Sequence, residues 1–112
     1  MVLKPKTLDE LLMGQSSSSG AWSDKSLILS FLRDAGAADA EPKKQELAGI
    51  ITDASALDLV WITLLALFVL AKKFADRESE WQLIANKAKN FLKSHGIAKP
   101  DAFVKAIKLE LN

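Results

Sequence analysis

Hydrophobic and polar positions fall into blocks along this chain. The most pronounced is Leu59-Val-Trp-Ile-Thr-Leu-Leu-Ala-Leu-Phe-Val-Leu-Ala71, thirteen residues that are apolar apart from Thr63. At roughly 1.5 Å per residue the run spans about 20 Å, short of the roughly 30 Å hydrocarbon core of a bilayer. Asp58 bounds it on one side and Lys72-Lys73 on the other. Val60, Trp61, Ile62 and Val69 suit a strand, but the run is far longer than a typical strand and contains neither glycine nor proline. The flanks suit a helix, with Ser55 as N-cap, Asp58 in the first turn and Lys72 and Lys73 in the last, each complementing the helix dipole. A helix apolar on every side needs other helices around it. The pattern therefore predicts a fully buried helix over 57–71, within a helical segment 56–74, as the hub of the fold and not as a membrane span.

The remaining blocks repeat at three and four residues. Thr7 and Glu10 form a capping box that opens a helix over 7–13, with Gly14 as its stop. Gln15-Ser-Ser-Ser-Ser-Gly20 reads as polar and flexible, within a loop over 14–22. Ser23 caps a helix over 24–35 with Leu27, Ile28, Phe31 and Leu32 on one stripe. Pro42 fits the first turn of a helix over 42–51 that buries Leu47, Ile50 and Ile51. Asp76-Arg-Glu-Ser79 interrupts the pattern. A helix over 78–94 then places Trp81, Ile84, Ala85, Ala88, Phe91 and Leu92 on one face, with Lys87, Lys89, Asn90 and Lys93 mostly opposite. Gly96 is expected at C′ of a Schellman motif with Ile97 as its apolar contact. Pro100 starts a last helix over 100–110, with Phe103, Ala106, Ile107 and Leu111 facing inward. The predicted architecture is a single all-α domain, a compact bundle of about six helices around the buried one.

Composition narrows the functional classes. The chain has 112 residues, is 49% hydrophobic and 26% charged, and contains no cysteine. That length supports one core, and that hydrophobic content argues against disorder. Without cysteine there are no disulfides, thiolate nucleophiles or zinc–thiolate sites, which fits a cytoplasmic setting. The net charge is +1, well short of the strongly basic balance of dedicated nucleic-acid binders. The C-terminal half is the more basic one. Residues 1–14 hold no long apolar stretch of the kind a secretory leader needs.

Candidate chemistry is sparse. His95 is the sole histidine, and its place before Gly96 suits it to capping the helix C-terminus. Asp76, Glu78 and Glu80 lack the glycine and terminal glutamate of a calcium loop and suit a helix N-terminus. The serine run between Gly14 and Gly20 lacks the GK[ST] of a phosphate loop. No catalytic residue, cofactor or metal site is predicted, and the chain reads as a non-enzyme. Trp61 belongs to the buried run, and Trp81 lies on an apolar stripe. Trp22 either pins the serine loop to the bundle, the preferred role, or anchors a partner.

Three segments carry a family likeness: Gln15…Gly20-Ala-Trp22 ahead of a helix, Ala56-Leu-Asp-Leu-Val-Trp-Ile-Thr-Leu-Leu-Ala66, and Glu80-Trp-Gln-Leu-Ile-Ala-Asn-Lys-Ala88 leading to Phe91-Leu92. In that order they resemble the C-terminal helical region of proteins with a VIT domain followed by a von Willebrand factor A domain, a group that includes vault poly(ADP-ribose) polymerase. The likeness covers most of residues 8–95. Phe91 stands where the family often has tryptophan, and the four-serine loop is a departure. The resemblance implies a docking module that binds a protein partner, the major vault protein, while polymerase and adhesion activities belong to other domains. Docking requires an exposed apolar patch, and the candidate partner-binding residues are Trp22, Phe103 and Ile107. Two other readings stand beside it. One is a helical nucleic-acid binder using Lys72, Lys73, Arg77, Lys87, Lys93, Lys105 and Lys108. The other is a structural cap for neighbouring domains.

Overall fold

A computed structural model describes residues 8–15, 20–22, 25–33, 36 and 42–107. Six helices lie among them: α1 (Leu8–Met13), α2 (Lys25–Leu29), α3 (Pro42–Ala48), α4 (Ala54–Lys73), α5 (Glu78–Ser94) and α6 (Pro100–Ala106), with a 3-10 turn at Ala75–Arg77 between α4 and α5. The described residues form no strand, and an isolated antiparallel bridge joins Gln15 and Trp22. The chain is an all-α bundle. Its radius of gyration is 13.2 Å, matching the roughly 13 Å of a compact domain this long.

The hub is α4, which packs against α2, α3, α5 and α6. Complete burial runs over Val60–Leu70, eleven consecutive residues. That is narrower than the expected 57–71, because Leu57 and Leu59 are half-buried while Asp58 and Ala71 are exposed. The helix starts at Ala54, two residues earlier than predicted, and its cap is Asp53, not Ser55. The Asp53 carboxylate accepts from the Ser55 amide at 2.9 Å, satisfying one of the free donors of the first turn. The full 20 residues of α4 are long and apolar enough to cross a membrane by length and composition. Here the chain itself supplies the apolar surroundings.

Three other predicted elements end early, each for a local reason. In α2 the stripe is placed as expected, with Ile28, Phe31 and Leu32 buried, but the α-helix stops at Leu29. The Ser30 hydroxyl donates to the Leu27 carbonyl, so the Phe31 amide turns instead to Ile28, at 3.1 Å. A serine competing for backbone acceptors commonly loosens a helix in this way. In α3 the amides of Gly49 and Ile50 bond three residues back, to Glu46 and Leu47. This tightened turn carries Ile50 off the buried stripe. Leu47 and Ile51 are buried as predicted, whereas Ile50 is 48% exposed. In α6 the helix ends at Ala106 with Ile107 extended. Pro100, Val104 and Ile107 are the buried positions, while Phe103 and Ala106 are only half-buried. The predicted capping box at Thr7, the Ser23 cap and Leu111 lie outside the described residues.

The bounds of α5 coincide with those read from the sequence, and Trp81, Ala85, Ala88, Phe91 and Leu92 are buried on one face. Its end is the predicted Schellman motif. The Ile97 amide bonds the Leu92 carbonyl at 3.0 Å and the Gly96 amide bonds Lys93 at 3.2 Å. Gly96 takes φ +95°, where a side chain is strained.

Candidate docking surface

Trp22 is completely buried. Its backbone N–H donates to the Thr63 hydroxyl at 3.0 Å and its indole N–H to the Leu11 carbonyl at 2.7 Å. Thr63 in turn donates to Leu59 one turn back, at 2.8 Å. The one polar residue of the apolar run thus receives the chain where it enters the core. Gln15 completes the clasp, its side-chain amide donating to the carbonyls of Gly20 at 2.9 Å and Ile84 at 3.0 Å. Gly20 has φ +85°, and a Cβ there would lie 2.8 Å from the Lys87 carbonyl oxygen. The described ends of the 14–22 loop are therefore pinned, while the serine run expected to be flexible, 16–19, lies outside the described residues. As an anchor for a partner, Trp22 is corrected too: a side chain hydrogen-bonded inside the core offers nothing to a docking protein.

Ile107 is likewise buried, at 3% exposure. Phe103 alone of the three candidates reaches the surface. It lines an open groove of about 330 Å³ with Ile50, Ile97, Ala98, Lys99 and Ala102, bordered by Glu46. Ile50 is the one large apolar side chain of its lining that is exposed. The methyl Cγ2 of Ile50 stands 3.5 Å from where a Gly96 side chain would begin, so the Schellman turn and the tightened end of α3 build the groove together. Sequence reasoning missed Ile50 by assigning it to the core stripe, and the Gly49 turn was the available signal.

A second opening shares Ala98, Lys99 and Ala102 with this groove and continues around α6 to Lys93, Pro100, Asp101 and Lys105, with a volume of about 440 Å³. Lys93, Lys99 and Lys105 are exposed, and none has an acidic partner among the described residues. Asp101 is engaged by Lys89 at 2.8 Å. A separate groove between α5 and α6 has Leu67, Trp81 and Val104 in its lining and Glu78, Lys89, Asp101 and Lys105 at its edge. Met13 and Leu83 are the other large exposed apolar side chains among the described residues. Neither lines these grooves, and isolated surface apolars are common.

The other polar candidates have local structural roles. His95 is the C-cap of α5, with Nδ1 3.1 Å from the Phe91 carbonyl and its ring 4.4 Å from that of Phe91. The same Nδ1 lies 3.2 Å from the Ser94 hydroxyl. Glu80 accepts from Arg77 Nε and Nη2, at 2.6 and 2.8 Å. The hydrogen-bonded Arg77 guanidinium holds the Glu80 carboxyl below its ordinary range. Of the acidic trio, Glu78 and Glu80 occupy the first turn of α5, and no group of three potential metal ligands occurs among the described residues.

The fold and these grooves define a helical domain with one continuous apolar and basic surface at the α3–α6 corner. No family model, curated protein or solved structure matches the chain.

Proposed function

We propose that this chain is a non-catalytic docking module whose binding surface is the groove between α3 and α6. The observation that carries the reading is the open apolar lining of Ile50, Ala98, Ala102 and Phe103. At about 330 Å³, it holds one or two side chains of a partner and lies at the small end for organic ligands, which run from roughly 300 to 1,000 Å³. The resemblance of the Gln15–Trp22, Ala56–Ala66 and Glu80–Leu92 segments to the VIT and von Willebrand factor A group supplies the candidate partner, the major vault protein, and a cytoplasmic setting. The same three segments build the clasp and the hub, so the likeness supports a shared scaffold and the groove supplies the specificity.

Co-sedimentation with purified vault particles tests the reading. Binding at micromolar concentration that survives high salt and is lost in Ala102→Arg is the expected outcome. No sedimentation of the wild-type chain removes the vault partner.

Of the residues named for the nucleic-acid reading, Lys93 and Lys105 line one opening, where Lys99 joins them. Their attraction to phosphates would fall steeply with salt as counterions are released. A salt titration with single-stranded and duplex oligonucleotides discriminates it from docking. A structural-cap role predicts neither form of binding.

A further inference from the structure

The docking groove does not end at its apolar lining. Ala98, Lys99 and Ala102 form a shared wall between the Ile50–Phe103 groove and the opening edged by Lys93 and Lys105. A ligand lying across that wall meets Ile50 and Phe103 on one side, Lys93 and Lys105 on the other, and Lys99 on the wall itself. The single carboxylate lining the lysine side, Asp101, is paired with Lys89 at 2.8 Å, and one acidic residue against Lys93, Lys99 and Lys105 leaves that opening basic. The apolar side has one acidic lining residue, Glu46, set against Lys99, so the excess of basic charge falls on the Lys93 and Lys105 side. The surface is therefore polarised along its length. The groove between α5 and α6 has no such asymmetry, since Glu78 and Asp101 balance Lys89 and Lys105 at its edge.

From this polarity we infer that the partner presents an acidic peptide segment with an adjacent aromatic or aliphatic anchor. The anchor enters between Ile50 and Phe103, and the carboxylates lie over Lys93, Lys99 and Lys105. This inference rests on the docking reading and adds the partner's chemistry. Charges at the rim of an interface chiefly set on-rate and selectivity, while a buried apolar anchor carries most of the affinity. Each half alone is a poor ligand: glutamates without the anchor gain only screened attraction, and an anchor among lysines meets like charge.

The probe is a short fluorescein-labelled peptide in which one phenylalanine is flanked by glutamates, followed by fluorescence anisotropy. Three controls replace the phenylalanine by glycine, replace the glutamates by lysines, or replace the peptide by a single-stranded oligonucleotide. Micromolar binding of the first peptide alone is expected. It weakens about tenfold or more both in Ala102→Arg, which fills the groove, and in the double variant Lys93→Glu/Lys99→Glu, which reverses the charge. Both substitutions are at exposed positions, and unchanged thermal melts by circular dichroism certify that the variants are folded. If only one variant folds, that variant decides.

Equal binding of the lysine peptide, equal binding of the glycine peptide, or no binding of the first peptide overturns the inference. Tighter binding of the oligonucleotide overturns it and favours the nucleic-acid reading. Vault binding that is sensitive to Ala102→Arg while the acidic peptide fails leaves the docking module standing and removes only the partner's proposed chemistry.

Discussion

Thr63 shows how much one side chain decides. In the sequence it is an irregularity in an apolar run; in the fold its hydroxyl joins the Trp22 amide to the Leu59 carbonyl in a completely buried position. Thr63→Val keeps the shape and strands the Trp22 N–H, an expected loss of about 1–3 kcal/mol read from chemical denaturation. A stability equal to wild type would show that this hydrogen bond contributes nothing. The tryptophans supply a second comparison. Trp22 and Trp81 donate to carbonyls, at 2.7 and 2.8 Å, whereas the Trp61 indole N–H is buried with no acceptor among the described residues. Replacing any of them by Phe leaves a void, but only the first two replacements also break a bond. Trp61→Phe is therefore expected to cost about 1 kcal/mol less than Trp22→Phe, and the reverse order in thermal melts would contradict the assignment. The burial of Trp61 and Trp81 was legible from their stripes. The hydrogen bonds were not, because Leu11 and Phe74 offer backbone carbonyls that leave no trace in residue type.

At the level of elements, legibility followed the strength of local signals. The bounds of α5 were readable because amphipathic spacing, acidic first-turn residues and Gly96 agree with one another. Helix α4 was readable in kind but not in its start, since Asp53 and Ser55 are both good caps and tertiary packing chose between them. Helices α2 and α3 were read too long, because the tightening at Ser30 and Gly49 depends on which carbonyl each amide reaches. Two glycines separate backbone strain from steric clash. Gly96→Ala meets only the Ile50 methyl at 3.5 Å and a φ of +95°, an expected cost of about 1–2 kcal/mol. Gly20→Ala adds a Cβ at 2.8 Å from the Lys87 carbonyl oxygen and must open the clasp, so it lowers the melting temperature further. Equal melting temperatures would mean that the Gln15–Trp22 clasp yields freely.

For the whole molecule, α4 organises packing while the docking function is assigned to the rim. Leu64 is completely buried on α4, and Leu64→Asp is expected to unfold the domain, since an isolated carboxylate there has no compensating partner. A folded Leu64→Asp by circular dichroism would remove α4 from the centre of the account. The groove proposed for docking was largely illegible in the sequence because it joins the end of α3 to a turn some fifty residues later. Phe103 was picked out by residue type, but Trp22 and Ile107 were equally apolar and went inside. Amide hydrogen exchange of the chain, alone and with purified vault particles, tests the two levels together. The account predicts Val60–Leu70 protected to the level of global unfolding in both states, with added protection on binding confined to Ile50 and the 97–103 stretch. Rapid exchange within Val60–Leu70, or binding-induced protection located elsewhere, such as around Met13 and Leu83, would contradict it.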